Sequence, residues 1–324
     1  LIFTDQGRVY GLRAWGTPSA SRYGKGTHIR NLLEGIREGE KVVSILPLDR
    51  ELIQNPEGHY IIFATSQGRI KRSHLSDYVK INRNGKYALK FAKDSDSLVQ
   101  VRPATEEDHV VLVSSMGYAC RFLPSEAKTR VDAATGESVT THTVRVQGRV
   151  SQGVAGMKLQ SGDRVVGMIV TDDFDTSVLT ISKHGMAKRS RLGSGSMVEI
   201  KLEDGTTAQG DDGEAMMERD GYRKTNRGTK GVRTMALSDG DSIIGVRQIP
   251  DLSDQLFMLT EKGMMIRMPA TQTKETLGKV TKGTRIMELR TKDKKSYADE
   301  IVFVARLPSD LVERGDVESE GEEE

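Results

Sequence analysis

A short phrase recurs five times along the 324 residues: an apolar strand, a polar turn closing on glycine, a basic stretch, a second glycine loop, and a strand carrying a branched apolar pair. The copies begin LIFTDQGRVYGLR at Leu1, YIIFATSQGRIKR at Tyr60, VVLVSSMGYACRF at Val110, SVLTISKHGMAKR at Ser177 and LFMLTEKGMMIRM at Leu256. A unit this short cannot bury a core alone, so the copies must stack or close on one another. Whatever one copy presents at its edge, the array presents several times.

Alignment on the first glycine (Gly7, Gly68, Gly117, Gly185, Gly263) places Arg72, Arg121, Arg189 and Arg267 four residues later, and only Gly11 breaks that column. Four residues before the second glycine (Gly26, Gly85, Gly153, Gly231, Gly283) stand Arg22, Arg149, Arg227 and Lys279; the exception is Ile81, with Arg83 two residues on. Lys25, Lys230 and Lys282 directly precede that glycine, while Lys71 adjoins Arg72 and Lys86 follows Gly85. Solvation requires charge on a surface but does not require it in the same column of every repeat. The columns therefore predict a rim of positive charge for a polyanionic partner.

Formal net charge is only +2, yet residues 313–324 hold seven acids and one arginine, and the remainder carries 47 basic and 39 acidic residues. A basic body with an acidic end is the asymmetry of a nucleic-acid binder with a self-competing segment. Cys120 is the only cysteine, which excludes a disulfide framework and a thiolate metal site. Neither a membrane span nor a signal pattern occurs, so the chain reads as cytoplasmic and nucleoid-associated. Because it opens in mid-strand at Leu1, it reads as part of a longer chain.

Each repeat reads as four short strands, the signature of a propeller blade. Apolar pairs two apart, such as Leu89 and Phe91 or Met157 and Leu159, predict a half-buried strand after the second glycine. Longer glycine-to-glycine spacing in the third and fourth repeats places polar insertions near 132–146 and 201–223, expected as surface excursions. The array is expected over residues 1–312, with blades starting near 1, 60, 110, 177 and 256, and a disordered acidic tail over 313–324.

Catalytic patterns are missing. The six histidines have no metal-ligand spacing, and no nucleophile elbow, phosphate loop or dinucleotide fingerprint occurs.

The phrases from Ile2 to Leu48, TSQGRIKRSHLSDY from Thr65, SQGVAGMKLQSGDRVVGMIV from Ser151 and NRGTKGVRTMALSDGDSIIGV from Asn226 closely resemble the C-terminal domain of the A subunit of bacterial DNA gyrase. The resemblance implies an all-β β-pinwheel, in which neighbouring blades exchange strands and duplex DNA wraps the basic edge. It further implies ATP and Mg in the holoenzyme but not in this segment. The protein partners it implies are the gyrase B subunit, plus the upstream part of the same A subunit. Two departures stand out: five repeats instead of the usual six, and no Gln-Arg-Arg-Gly-Gly-Lys-Gly box, of which Asn226 to Gly231 is a distant echo. The related subunit of topoisomerase IV and a protein-binding propeller scaffold are the alternatives.

A tethered polyanion reaches an effective concentration in the millimolar range and competes with DNA phosphates. Cutting the chain after Val312 is expected to tighten duplex binding, most at low salt, as read by fluorescence anisotropy. Equal affinities would leave the tail a solubilising end.

Overall fold

Runs of branched and aromatic residues form the central strand of each blade because they fill a surface buried on both sides. The computed structural model describes residues 1–19, 24–131, 138–202, 206–210, 212–276, 281–291, 293 and 296–310. Within these, Tyr60–Thr65 and His109–Ser114 are buried along their whole length, as is Ser177–Ser182. The five-residue α-helix Arg50–Gln54 starts where the Asp49 carboxylate accepts the Leu52 N–H. No helix among the described residues is long and apolar enough to cross a membrane.

The chain divides into two units. The first holds residues 1–112, 122–172 and 227–229, and the second holds 113–121, 173–226 and 230–324. In the first unit, one sheet runs Val42–Ile45, Ile2–Thr4, Arg8–Tyr10, Lys86–Tyr87, and another runs Leu98–Ala104, Tyr60–Thr65, Arg69–His74, Val154–Ala155. In the second unit, a sheet runs Ile243–Ile249, Ser177–Ser182, Met186–Arg191, Thr284–Arg285, and a three-stranded sheet runs Met265–Pro269, Gln255–Thr260, Ile301–Leu307. The third repeat contributes strands to both units, and its Tyr118–Phe122 pairs with Val232–Arg233.

The strands of these sheets pair antiparallel, and in each four-stranded sheet one outermost strand comes from the next repeat. Val9 pairs with Lys86, Ile70 with Val154, Ala119 with Val232 and Ala187 with Thr284. In repeats two to five the four predicted strands therefore exist, but one of them completes the preceding blade, and the first repeat has three strands among the described residues. Donation is also shorter than the apolar alternation suggests. The donated strands span two residues, and the apolar residues beyond them leave the ladder to cover the first-glycine turn. The Ala88 and Leu89 N–H groups donate to Gly7 O at 2.8 and 3.1 Å, and Gly156 and Met157 do the same to Gly68 O at 2.8 and 3.0 Å.

A second recurring device closes the opposite side of four of the blades. Its register shifts at Phe3/Thr4, Ala64/Thr65, Ile181/Ser182 and Leu259/Thr260, the bulge expected where a strand must twist away. At one such bulge the buried Asp96 accepts from Thr65 Oγ1 at 2.8 Å and from the Gln67 and Ser97 N–H groups at 2.9 Å each. The Gly-Asp and Asp-Ser turns of the sequence thus supply internal acceptors.

Apolar packing fills the space between sheets within each unit. In the first, Phe3, Phe63 and Tyr78 form an aromatic cluster, with Phe3 and Phe63 edge to face at 5.6 Å. Burying each such ring contributes roughly 1.5–3 kcal/mol. The insertions fold as hairpins. Ala127–Val131 pairs with Ser138–His142, and the exposed Met197–Glu199 pairs with Met217–Arg219.

Among the described residues the fifth blade has three strands, and its Met264 and Met265 are 60% and 65% exposed where the other repeats receive a donated strand. A Cβ on Gly185 (φ +81°) would lie 2.4 Å from Met287 O, whereas a Cβ on Gly263 (φ +83°) would meet nothing within 4 Å. Gly263→Ala should therefore cost only the left-handed strain of about 1–2 kcal/mol. Gly185→Ala should lower the melting temperature distinctly further, and equal losses by circular dichroism would contradict strand donation as the source of the difference.

Candidate nucleic-acid interface

The arginine column after the first glycine lies inside the fold. Arg72 and Arg121 are 1% exposed and Arg189 is 7% exposed, because this position faces the cover laid down over the second strand of the blade. The Arg72 guanidinium stacks 3.7 Å from the centre of the Tyr60 ring, with Nη2 2.7 Å from Glu106 Oε1. Arg121 Nη1 donates to three carbonyl oxygens of the fourth repeat, Leu192, Gly193 and Tyr222, at 2.9, 2.7 and 2.9 Å. Arg189 Nε donates to Thr273 O at 3.0 Å, and its Nη1 to Glu275 Oε2 at 2.7 Å.

Lys71 is fully buried, and its Nζ donates to Ala88 O at 2.6 Å, Arg149 O at 2.5 Å and Tyr78 Oη at 3.2 Å. These four residues, Lys71, Arg72, Arg121 and Arg189, correct the expectation of a rim. Each is a long donor held by acceptors inside the fold: backbone carbonyls for Lys71 and Arg121, the Glu106 carboxylate for Arg72, and Thr273 O with Glu275 for Arg189. Arg267 is the exposed member of the column, bonding Gln255 Oε1 at 2.9 Å in the blade that has no donated strand. The break at Gly11 has a steric cause, since a Cβ there would lie 2.0 Å from Ile81 O.

The second-glycine loops do reach the surface. Lys25, Arg83, Lys86, Lys230 and Lys282 are exposed. Arg149 and Arg227 are half-buried and partly used by the fold. Arg149 Nη1 donates to Asp77 O at 3.2 Å, and Arg227 donates through Nε to Thr143 O at 2.6 Å and through Nη1 to Ala155 O at 2.9 Å. Arg22 and Lys279 lie outside the described residues.

One surface cation was not singled out from the sequence. Arg233 sits beside Lys230, and both lie over the Tyr118 ring at 5.5 and 4.3 Å from its centre. Hydrogen bonds from Arg233 and Lys230 to the phenol lower its pKa. The signal was its offset: Arg233 and Arg285 both stand two residues beyond the second glycine, on the donated strands. Cations displayed on aromatic faces hold phosphate groups without reading bases.

Five blades with interchanged edge strands and basic second loops define a class, the strand-exchanging propellers, and comparison with known proteins gives the family. The model of the DNA gyrase C-terminal domain, beta-propeller, matches residues 1–49, 59–105, 138–172, 176–194, 217–250 and 254–307, and the chain belongs to this family. The DNA gyrase A subunit of Staphylococcus epidermidis (strain ATCC 12228 / FDA PCI 1200) is 30% identical over 290 residues, which is 89% of this chain and 27% of that protein. Its counterpart from Staphylococcus aureus (strain NCTC 8325 / PS 47) is 28% identical over the same shares. The chain thus spans about a quarter of the length of these relatives. Among solved structures, the C-terminal domain of DNA topoisomerase IV superposes with a TM-score of 0.71 at 18% identity, over 100% of this chain and 83% of that one. A DNA gyrase A C-terminal domain gives 0.64 at 19% identity, over 95% and 81%. Both likenesses establish the shared fold.

Burial lowers the Lys71 ammonium to about 7 and the Lys188 ammonium to about 8. In the unfolded chain both titrate near 10.4. Between these values the unfolded chain binds protons that the folded chain has released, so stability rises with pH; the cost of the buried charge is fully present below pH 7. Melting curves from pH 7 to 10 should therefore show a rise that Lys71→Met reduces. A slope unchanged by that substitution would contradict the assignment.

Proposed function

We propose that this domain binds duplex DNA without sequence preference and wraps it, and that in a gyrase holoenzyme it presents the wrapped segment for ATP-driven negative supercoiling in the cytoplasm. The observation that carries the reading is the exposure of Lys25, Arg83, Lys86, Lys230 and Lys282, each within two residues of the second glycine in four of the five repeats, while most of the other column cations are consumed by the fold. Repeated phosphate contacts release counterions, and several are needed because bending 20–30 base pairs costs on the order of 1–6 kcal/mol. The role proposed for this segment is binding and shaping. ATP and Mg, the B subunit, plus the upstream part of the A subunit, enter through the holoenzyme.

The lack of the Gln-Arg-Arg-Gly-Gly-Lys-Gly box within these residues favours a second reading, the corresponding domain of topoisomerase IV, serving decatenation. Supercoiling against decatenation by the reconstituted holoenzyme separates the two.

Affinity for a random duplex should fall about a thousandfold or more between 50 and 200 mM salt. Alanine at Lys25, Arg83, Lys86, Lys230 and Lys282 together should flatten that slope by several units with little change in melting temperature. Binding to nicked plasmid followed by ligation should shift the linking number. An unchanged linking number, or salt-insensitive binding, would overturn wrapping.

A further inference from the structure

The insertion of the fourth repeat, unexplained by the blade pattern, closes one wall of an open cavity of about 50 Å³ in the second unit. Its lining includes Lys188, Arg191, Arg219, Arg223 and Arg233 and no carboxylate. Three separate elements deliver these cations: the strand Met186–Arg191, the end of the insertion hairpin with the turn after it, and the donated strand Val232–Arg233. Convergence from three elements is not what a solvated charge run produces.

The walls are built and not collapsed. Arg219 Nη1 is fixed on Gly195 O at 2.7 Å, Arg233 Nη2 on Tyr118 Oη at 3.1 Å and Lys188 Nζ on Thr234 O at 2.7 Å. Two carboxylates outside this lining, Asp175 and Asp220, both pair with Arg191, at 2.8 and 3.6 Å. Arg223 is exposed, with no hydrogen-bond or ion-pair partner among the described residues. The turn that carries Arg223 is held from behind by the buried Arg121, which grips Leu192 O and Tyr222 O, and by Gly221 (φ +71°), where a Cβ would lie 2.2 Å from Leu192 O. One buried arginine thus positions a set of others.

We infer that this cavity is a phosphate-binding site, taking either a backbone phosphate of a bound duplex or the phosphate of a free small molecule. Guanidinium forks match phosphate oxygens in pairs, and four of them around one cavity suit the tetrahedral oxygens of a phosphate better than a single planar carboxylate. The duplex arm rests on the DNA-binding reading; the free-phosphate arm does not.

The probe is pyrophosphate, titrated into the full chain by calorimetry and by nitrogen–proton NMR of the Gly195 and Gly221 amides. Saturable binding is expected, weakened at least tenfold in Arg219→Ala/Arg223→Ala and in the mouth variant Arg223→Glu. Lys41→Ala/Lys93→Ala, which removes equal charge elsewhere, should change it less than twofold. Displacement of pyrophosphate by a 30-base-pair duplex assigns the site to DNA, and persistence beside bound duplex assigns it to a free phosphate; either supports the inference. No saturation at low salt, or equal weakening by both double variants, overturns it. Since pyrophosphate binding is read without DNA, its failure leaves the duplex assay to judge wrapping by itself.

Discussion

Backbone satisfaction at the outer edge of each blade is the constraint on which the rest depends. A three-stranded blade would leave a row of N–H and C=O groups unpaired, a liability that proteins must cover. Here the next repeat supplies two residues of strand and then lays its apolar residues over the turn glycine, so hydrogen bonding and packing arrive together. The spacing of the two glycines follows from this. The first must admit a neighbour's carbonyl at a distance no side chain tolerates, and the second must turn the donated strand in under the same neighbour.

Charge in this fold serves two ends that look alike in one dimension. Arg121 and Arg267 occupy the same column, yet one is sealed among three carbonyls and the other stands in solvent. What separates them is the cover contributed by the next repeat. Lys86, Lys230 and Lys282 escape that fate because they lie on or beside a donated strand only two residues long, too short to bury them.

Much of the architecture was legible beforehand: the five copies, the strand-rich blades and the surface insertions follow from glycine spacing and apolar runs, and the family likeness from longer phrases such as Ile2 to Leu48. The basic columns were legible as a pattern but not as a location. Recurrence reports that a position is constrained and is silent on whether the constraint is a partner or the fold, which is why Lys71, Arg72, Arg121 and Arg189 were misplaced at the surface. Arg233 went unnoticed because its significance comes from Tyr118, more than a hundred residues away and brought alongside by strand donation. The cavity was equally invisible, since its cations come from three segments with no shared spacing.

Donation runs from a later repeat to an earlier one. During synthesis each of the first four blades therefore emerges before the strand that completes it, which arrives with the following repeat. The growing chain carries a single open edge that advances by one blade at a time, so the order of assembly is written into the direction of synthesis.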